Sequence, residues 1–162
     1  MGGNLGDVKR TLQTAQQLVN SRVGAVLRCS HRYESEPWGF PAAERFSNQA
    51  LEVSTDLTPH EVLDACQAIE RELGRNRAAE QLERSASGAR YTSRPIDIDL
   101  IFYDDLVLET DRLTLPHPLL AEREFALVPL CEIMRQRRHP VLGISVGEML
   151  SALRENHKTG KA

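Results

Sequence analysis

Residues Arg94-Pro95-Ile96-Asp97-Ile98-Asp99-Leu100-Ile101-Phe102 alternate apolar and acidic side chains, and no other stretch so narrows what this chain can fold into. A period of two predicts a β-strand set into a core. Ile96, Ile98, Leu100 and Phe102 then share one face, and Asp97, Asp99, Ile101 and Tyr103 the other. Residues two apart on a strand lie roughly 6.6 Å apart, so the two carboxylates can converge on one cation or on an adjacent pair. Buried like charges repel each other and lose hydration; a hard divalent metal removes both costs. Aligned carboxylates that face a polyphosphate through magnesium form a phosphoryl-transfer site. Taken alone, the D-x-D pattern fits an exposed polar face about equally well.

The rest of the chain sets the context. Its 162 residues, 41% hydrophobic and 27% charged, predict one globular domain spanning 1–162. No apolar run approaches the roughly 18 residues needed to cross a bilayer, so no membrane partner is expected. A net charge of −3 lacks the basic footprint of nucleic-acid binding. Cys29, Cys66 and Cys131 are too scattered for a zinc site and suit a reducing, cytoplasmic setting as small core residues.

Asp7 is placed to cap a first helix carrying Val8, Leu12, Ala15 and Val19, which Gly24 ends. Strands are expected over about 26–33 and 48–54, separated by the loop Glu36-Pro37-Trp38-Gly39-Phe40-Pro41. Thr58-Pro59-His60-Glu61 reads as a capping box opening a helix striped by Val62, Cys66, Ile69 and Leu73 and stopped by Gly74. Residues 78–93 show no convincing periodicity and read as a long loop. Asp104-Asp105 suggests a hairpin turn into Leu106–Leu108, Leu113–Pro118 reads as extended, and a helix resumes near Leu119. Ser145 and Glu148 cap a last helix, with His157–Ala162 as a frayed tail. Helix, strand, strand, helix, strand gives an α+β fold; one strand ahead of the first helix would make it the ferredoxin-like β-α-β-β-α-β sandwich with appended elements.

Gly2-Gly3-Asn4-Leu5-Gly6-Asp7, Gln67 with Glu70, Arg75-x-Arg77, Arg94-x-x-Asp97-x-Asp99 and Leu113-Thr114-Leu115-Pro116-His117 together closely resemble the 6-hydroxymethyl-7,8-dihydropterin pyrophosphokinases of folate biosynthesis, from Gly3 to about Leu130. The resemblance implies transfer of pyrophosphate from ATP to the pterin's hydroxymethyl oxygen, leaving AMP. It implies that Asp97 and Asp99 hold two Mg²⁺ ions and that Arg75 and Arg94 contact the transferred phosphates. Arg77, Arg123, His117, Thr114, Gln67, Glu70 and Ile98 fall on the implied ATP side. Ser35, Glu36, Trp38, Phe46, Asn48 and Phe125 fall on the implied pterin side. A monomer or weak dimer is expected, with the two small-molecule substrates as partners.

Departures from the family pattern are Tyr91 in place of a common tryptophan, Pro118 in place of a tyrosine, and a longer 78–93 segment. The family's first strand is expected to be missing, which would leave the sheet short of a central strand and the protein weakly stable; a trimmed or mis-assigned start is the accompanying expectation. Two other readings stay open: a relative that binds nucleotide and pterin without turnover, and a ferredoxin-like RNA-binding domain, disfavoured by the acidic sheet face.

Overall fold

The computed structural model describes residues 1–36, 45–88 and 92–159. A two-residue strand β1 (Gly2–Gly3) precedes α1 (Val8–Arg22), followed by β2 (Ala25–Cys29), β3 (Tyr33–Ser35), β4 (Phe46–Asn48) and β5 (Leu51–Ser54). Then come α2 (Pro59–Glu72), α3 (Arg77–Ser87), β6 (Leu108–Glu109), β7 (Thr114–Leu115), a 3₁₀ turn (Leu120–Glu122), α4 (Glu124–Met134) and α5 (Val146–Lys158). The chain is mixed α and β, and every strand pair is antiparallel: β1-β4-β3, β2-β5 and β6-β7.

The helix ends follow their local chemistry. Asp7 accepts the Arg10 N–H at 3.0 Å and opens α1. Thr58 and Glu61 form the capping box of α2, and Ser145 and Glu148 that of α5, each satisfying donors that a helix start leaves without intrahelical partners. After α1 the chain doubles back into β2 at Gly24, where any Cβ would fall 2.1 Å from the Ser54 carbonyl oxygen. Only glycine allows β2 and β5 to meet there.

Two apolar layers flank the extended segments. On one side α1 and α2 bury Val19, Val23, Val62, Cys66 and Ile69, with Leu51, Val53 and Leu100 packed against them. On the other, α4 and α5 bury Leu127, Leu130, Val146, Met149 and Leu150, joined by Ala50, Ile101 and Phe102. Leu12, Ala15 and Ile96 make a third cluster beside the chain start. β1 is the pivot between strands: Gly2 stands opposite Asn48 of β4 and, on its other side, opposite Asp97. Beyond Met1 the two flanking segments run on as β5 and residues 98–103, with no backbone pairing between them among the described residues. A cavity of about 470 Å³ lies there, lined by Leu51, Val53, Cys66, Leu100, Phe102 and Leu130 among others.

Several expectations need correction. A strand does precede α1, although it is only two residues long. The 94–103 segment is extended but, among the described residues, makes a single bridge, at Asp97, rather than a regular ladder. Its alternation also fails at its end: Tyr103 packs with the α1–α2 layer and donates its hydroxyl to Leu57 O at 2.8 Å, whereas Phe102 packs with α4 and α5. The expected 26–33 and 48–54 strands each break in two, since Ser30 and Ala50 bond across the break (Ser30 N–H to Ala50 O, 3.0 Å; Ala50 N–H to Ser30 Oγ, 2.9 Å).

Residues 78–87, expected as part of a loop over 78–93, are helical and belong to α3. Asn76 caps α3 by accepting the Ala79 N–H at 3.1 Å, and Gly88 ends it at φ +69°. The turn at Asp104 is present, closed by Leu106 N–H to Tyr103 O at 3.0 Å, but β6 pairs onward with β7 and not back with the aspartate segment. The helix expected from Leu119 is split at Arg123 into the 3₁₀ turn and α4, and α5 continues through His157 and Lys158. Trp38 and Tyr91 lie outside the described residues.

Candidate active site

The site is assembled from the start of the chain outward. Gly2 and Asp97 exchange backbone hydrogen bonds of 2.9 and 2.7 Å. Gly3 passes so close to the Arg94–Pro95 backbone that a Cβ would sit 2.3 Å from Pro95 O. Asn4, 1% exposed, finishes the clamp: its N–H donates to Arg94 O (3.0 Å), its Oδ1 accepts the Arg94 N–H (2.9 Å) and its Nδ2 donates to Ser93 Oγ (2.9 Å). Gly2-Gly3-Asn4 thus sets the position of both Arg94 and Asp97. The glycines are legible in the sequence, but the role of Asn4 is not, because its partners Ser93 and Arg94 lie 89 and 90 residues away.

From α2, Glu70 reaches the same place fully buried. Its Oε1 accepts the Ile98 N–H at 2.8 Å and Arg75 Nη1 at 2.6 Å, while its Oε2 accepts Arg77. Gly74, at φ +95°, turns the chain so that Arg75 folds back under α2, its N–H on Glu70 O at 2.9 Å. The Arg75 guanidinium also bonds Asp97, and through Nε and Nη2 it forks onto Glu80 of α3 (2.9 and 3.1 Å). Nothing in the sequence marks Glu80, because a helix without an apolar stripe offers no periodic signal.

Each aspartate has an arginine of its own. Asp97 faces Arg75 and, at 3.3 Å, Arg94; Asp99 faces Arg123 at 3.3 Å. Arg123 sits where the 3₁₀ turn breaks before α4, and its Nη1 lies 3.2 Å from His117 Nε2. Arg94 lies over the Phe46 ring at 5.9 Å and Arg123 over the Phe125 ring at 5.7 Å, both within cation–π range. Asn48, buried at the end of β4, donates to Ser35 Oγ at 2.9 Å.

The two carboxylates differ in electrostatics. Burial works against ionisation of Asp97, but Arg94 and Arg75 outweigh it and hold its carboxyl below the usual range. Asp99 goes the other way: burial and the neighbouring Asp97 charge raise it, and His117 and Arg123 offset only part of that. Burial also raises Glu70 against the pull of Arg75, and lowers His117, which favours the neutral imidazole.

Ser35, Glu36, Phe46, Asn48, Arg75, Arg77, Arg94, Asp97, Ile98, Asp99, Arg123 and Phe125 all line the cavity. Glu70 and His117 join it through the arginines they touch. Gln67 is half-buried on α2 and Thr114 is exposed on β7; neither is part of the lining.

No cluster of three metal-ligating side chains occurs among the described residues. Two carboxylates opening on one cavity nevertheless suit magnesium, which takes one or two protein carboxylates and completes its shell with water and phosphate oxygens. Asp97 and Asp99 fit such an ion.

Residues 1–135 match the family described as 7,8-dihydro-6-hydroxymethylpterin-pyrophosphokinase. The chain belongs to this family. It is 37% identical over 134 residues to the 2-amino-4-hydroxy-6-hydroxymethyldihydropteridine pyrophosphokinase of Porphyromonas gingivalis, covering 82% of this chain and 86% of that protein. The protein of the same name from Bacillus subtilis is 36% identical over 137 residues, 84% of this chain and 76% of that one. The Methylorubrum extorquens pyrophosphokinase is 39% identical over 134 residues, 82% of this chain and 78% of that one. The match to the pyrophosphokinase family takes in β1, the Arg75 turn, the aspartate segment and Arg123. It ends at Arg135, so α5 lies beyond it.

Proposed function

We propose that this protein transfers pyrophosphate from ATP to the hydroxymethyl group of 6-hydroxymethyl-7,8-dihydropterin, releasing AMP, in folate biosynthesis. The observation that carries the reading is the pair Asp97 and Asp99, each with its own arginine, on one cavity with Phe46 and Phe125. The hydroxymethyl oxygen attacks the β-phosphorus, the bond between that phosphorus and the α–β bridging oxygen breaks, and the hydroxyl proton passes to solvent. Mg²⁺ held by Asp97 and Asp99 supplies charge neutralisation on the triphosphate.

The chain's own groups do the rest. Arg75, Arg77, Arg94 and Arg123 present planar donors suited to phosphate oxygens. The buried Arg94 Nε–H has no hydrogen-bond partner among the described residues, which favours an anion at that place. Glu70 already accepts from Arg75, Arg77 and Ile98, so its role is to orient arginines rather than to meet nucleotide. His117 adds a neutral ring beside Arg123, Ile98 offers adenine an apolar face, and Gln67 and Thr114 belong to the outer nucleotide contacts. Phe46 and Phe125 offer ring faces to the pterin, Asn48 meets its polar edge while Ser35 holds the amide, and Glu36 completes that wall.

The chain is a single ferredoxin-like domain in this reading, a cytoplasmic monomer or weak dimer, with no nucleic-acid or membrane partner. The test is to incubate the protein with Mg²⁺, ATP and the pterin and identify the products. AMP with pterin pyrophosphate is expected. ADP, or binding of both substrates without AMP, would overturn the reading.

A further inference from the structure

Arg75 is over-supplied with carboxylates. Glu70 and Asp97 take Nη1, and Glu80 takes Nε and Nη2 as a two-pronged fork. A phosphate group would bind a guanidinium through this same fork, so Arg75 cannot meet a polyphosphate this way until a carboxylate withdraws.

The fold shows which one can. Glu70 is fully buried and tied to the Ile98 N–H, and Asp97 is fastened to Gly2 by two backbone bonds. Glu80 rides on α3, where it is the one buried side chain among the described residues, 6% exposed, while Leu82 is 73% exposed. α3 therefore has no buried apolar face holding it down; charged contacts tie it to the site, the Glu80 fork on Arg75 at its middle and Arg77 on Glu70 at its first residue. Arg84, one turn beyond Glu80 on the same face, lines the cavity.

From this arrangement, and resting on the function proposed above, we infer that Glu80 is a built-in competitor for the nucleotide's phosphates: the triphosphate replaces the Glu80 carboxylate on the Nε/Nη2 fork of Arg75 and so loosens α3 beyond its first turn. Glu80 is a positioning residue that sets nucleotide affinity and couples α3 to occupancy of the site. It keeps Arg75 fully paired while no anion is present, which avoids leaving a buried guanidinium with unmet donors.

The experiment compares the full chain with Glu80→Gln, which keeps the shape and removes the charge, and Leu82→Ala, an exposed control on the same helix. Binding of Mg²⁺–ATP without the pterin, so that no transfer occurs, is measured by calorimetry, and amide exchange of residues 79–87 is followed with and without ATP. Glu80→Gln is expected to bind Mg²⁺–ATP about tenfold more tightly, since a charge-assisted bidentate competitor is gone. Its KM for ATP should fall with KM for pterin unchanged. In the apo state its α3 should exchange as fast as α3 of the ATP-bound parent, and Leu82→Ala should match the parent throughout. Should Glu80→Gln melt much lower than the parent, Glu80→Asp serves instead, its shorter arm weakening the fork while preserving the charge. Unchanged or weaker ATP binding in a folded variant, or α3 equally protected with and without ATP in the parent, would overturn the inference while leaving the function intact. A parent chain that binds no Mg²⁺–ATP would overturn both.

Discussion

Asp97 and Asp99 are two residues apart, yet the protein treats them oppositely. Asp97, depressed by Arg94 and Arg75 against the cost of burial, adds stability above the ordinary carboxylate value of 3.8, lost as pH falls through its lower native value. Asp97→Asn should therefore cost about 1–3 kcal/mol at pH 7, because Arg75 and Arg94 lose a charged acceptor, and the deficit should shrink in acid. Asp99, raised by burial and by Asp97, has the reverse linkage: its contribution is present below 3.8 and is lost as pH rises through its native value. Asp99→Asn in metal-free buffer should melt above the parent at pH 7.5 and level with it near the acid end. Thermal melts of both variants at several pH values check this, and a shared direction would refute the contrast. Both variants should lose AMP formation with saturating Mg²⁺ and ATP, and near-parental turnover in either would remove that residue from the metal site.

At the scale of elements, the fold turns on close approaches. Gly24→Ala would drive a Cβ into Ser54 O at 2.1 Å and force β2 off β5. Strain of this sort typically costs about 1–3 kcal/mol, to be read as a lower urea midpoint. Thr58→Ala removes the side chain that accepts the Glu61 N–H and should cost about 1 kcal/mol. If its midpoint were unchanged, α2 would be held by packing alone. The capping boxes were legible in the sequence because they are local: every atom involved lies within four residues. α3 was not, because its stability comes from Asn76, Gly88 and a run of helix formers, while its attachment comes from charged contacts with residues outside it, Glu80 on Arg75 and Arg77 on Glu70.

At the largest scale, the two helical layers meet at a cavity, with no continuous sheet between them among the described residues. Core voids cost stability because their lining atoms lack partners. Val53→Ile, adding one methylene toward that space, should raise the melting temperature, with about 0.8 kcal/mol expected for a buried methylene. A lower melting temperature would mean that the cavity walls leave no room at that side chain.

The sequence by itself determined the identities that matter chemically: the aspartate pair, the arginines near them, the glycine-rich start, and helix ends whose caps are written in neighbouring residues. These are local patterns, and local patterns survive in one dimension. Only the tertiary structure decided which arginine faces which carboxylate, that Asn4 pins Arg94 across the chain, that Glu80 occupies the fork of Arg75, and that the 94–103 segment changes faces at Phe102. Each of those depends on distances between residues far apart in sequence, and on burial that turns an ordinary exposed charge into a committed partner.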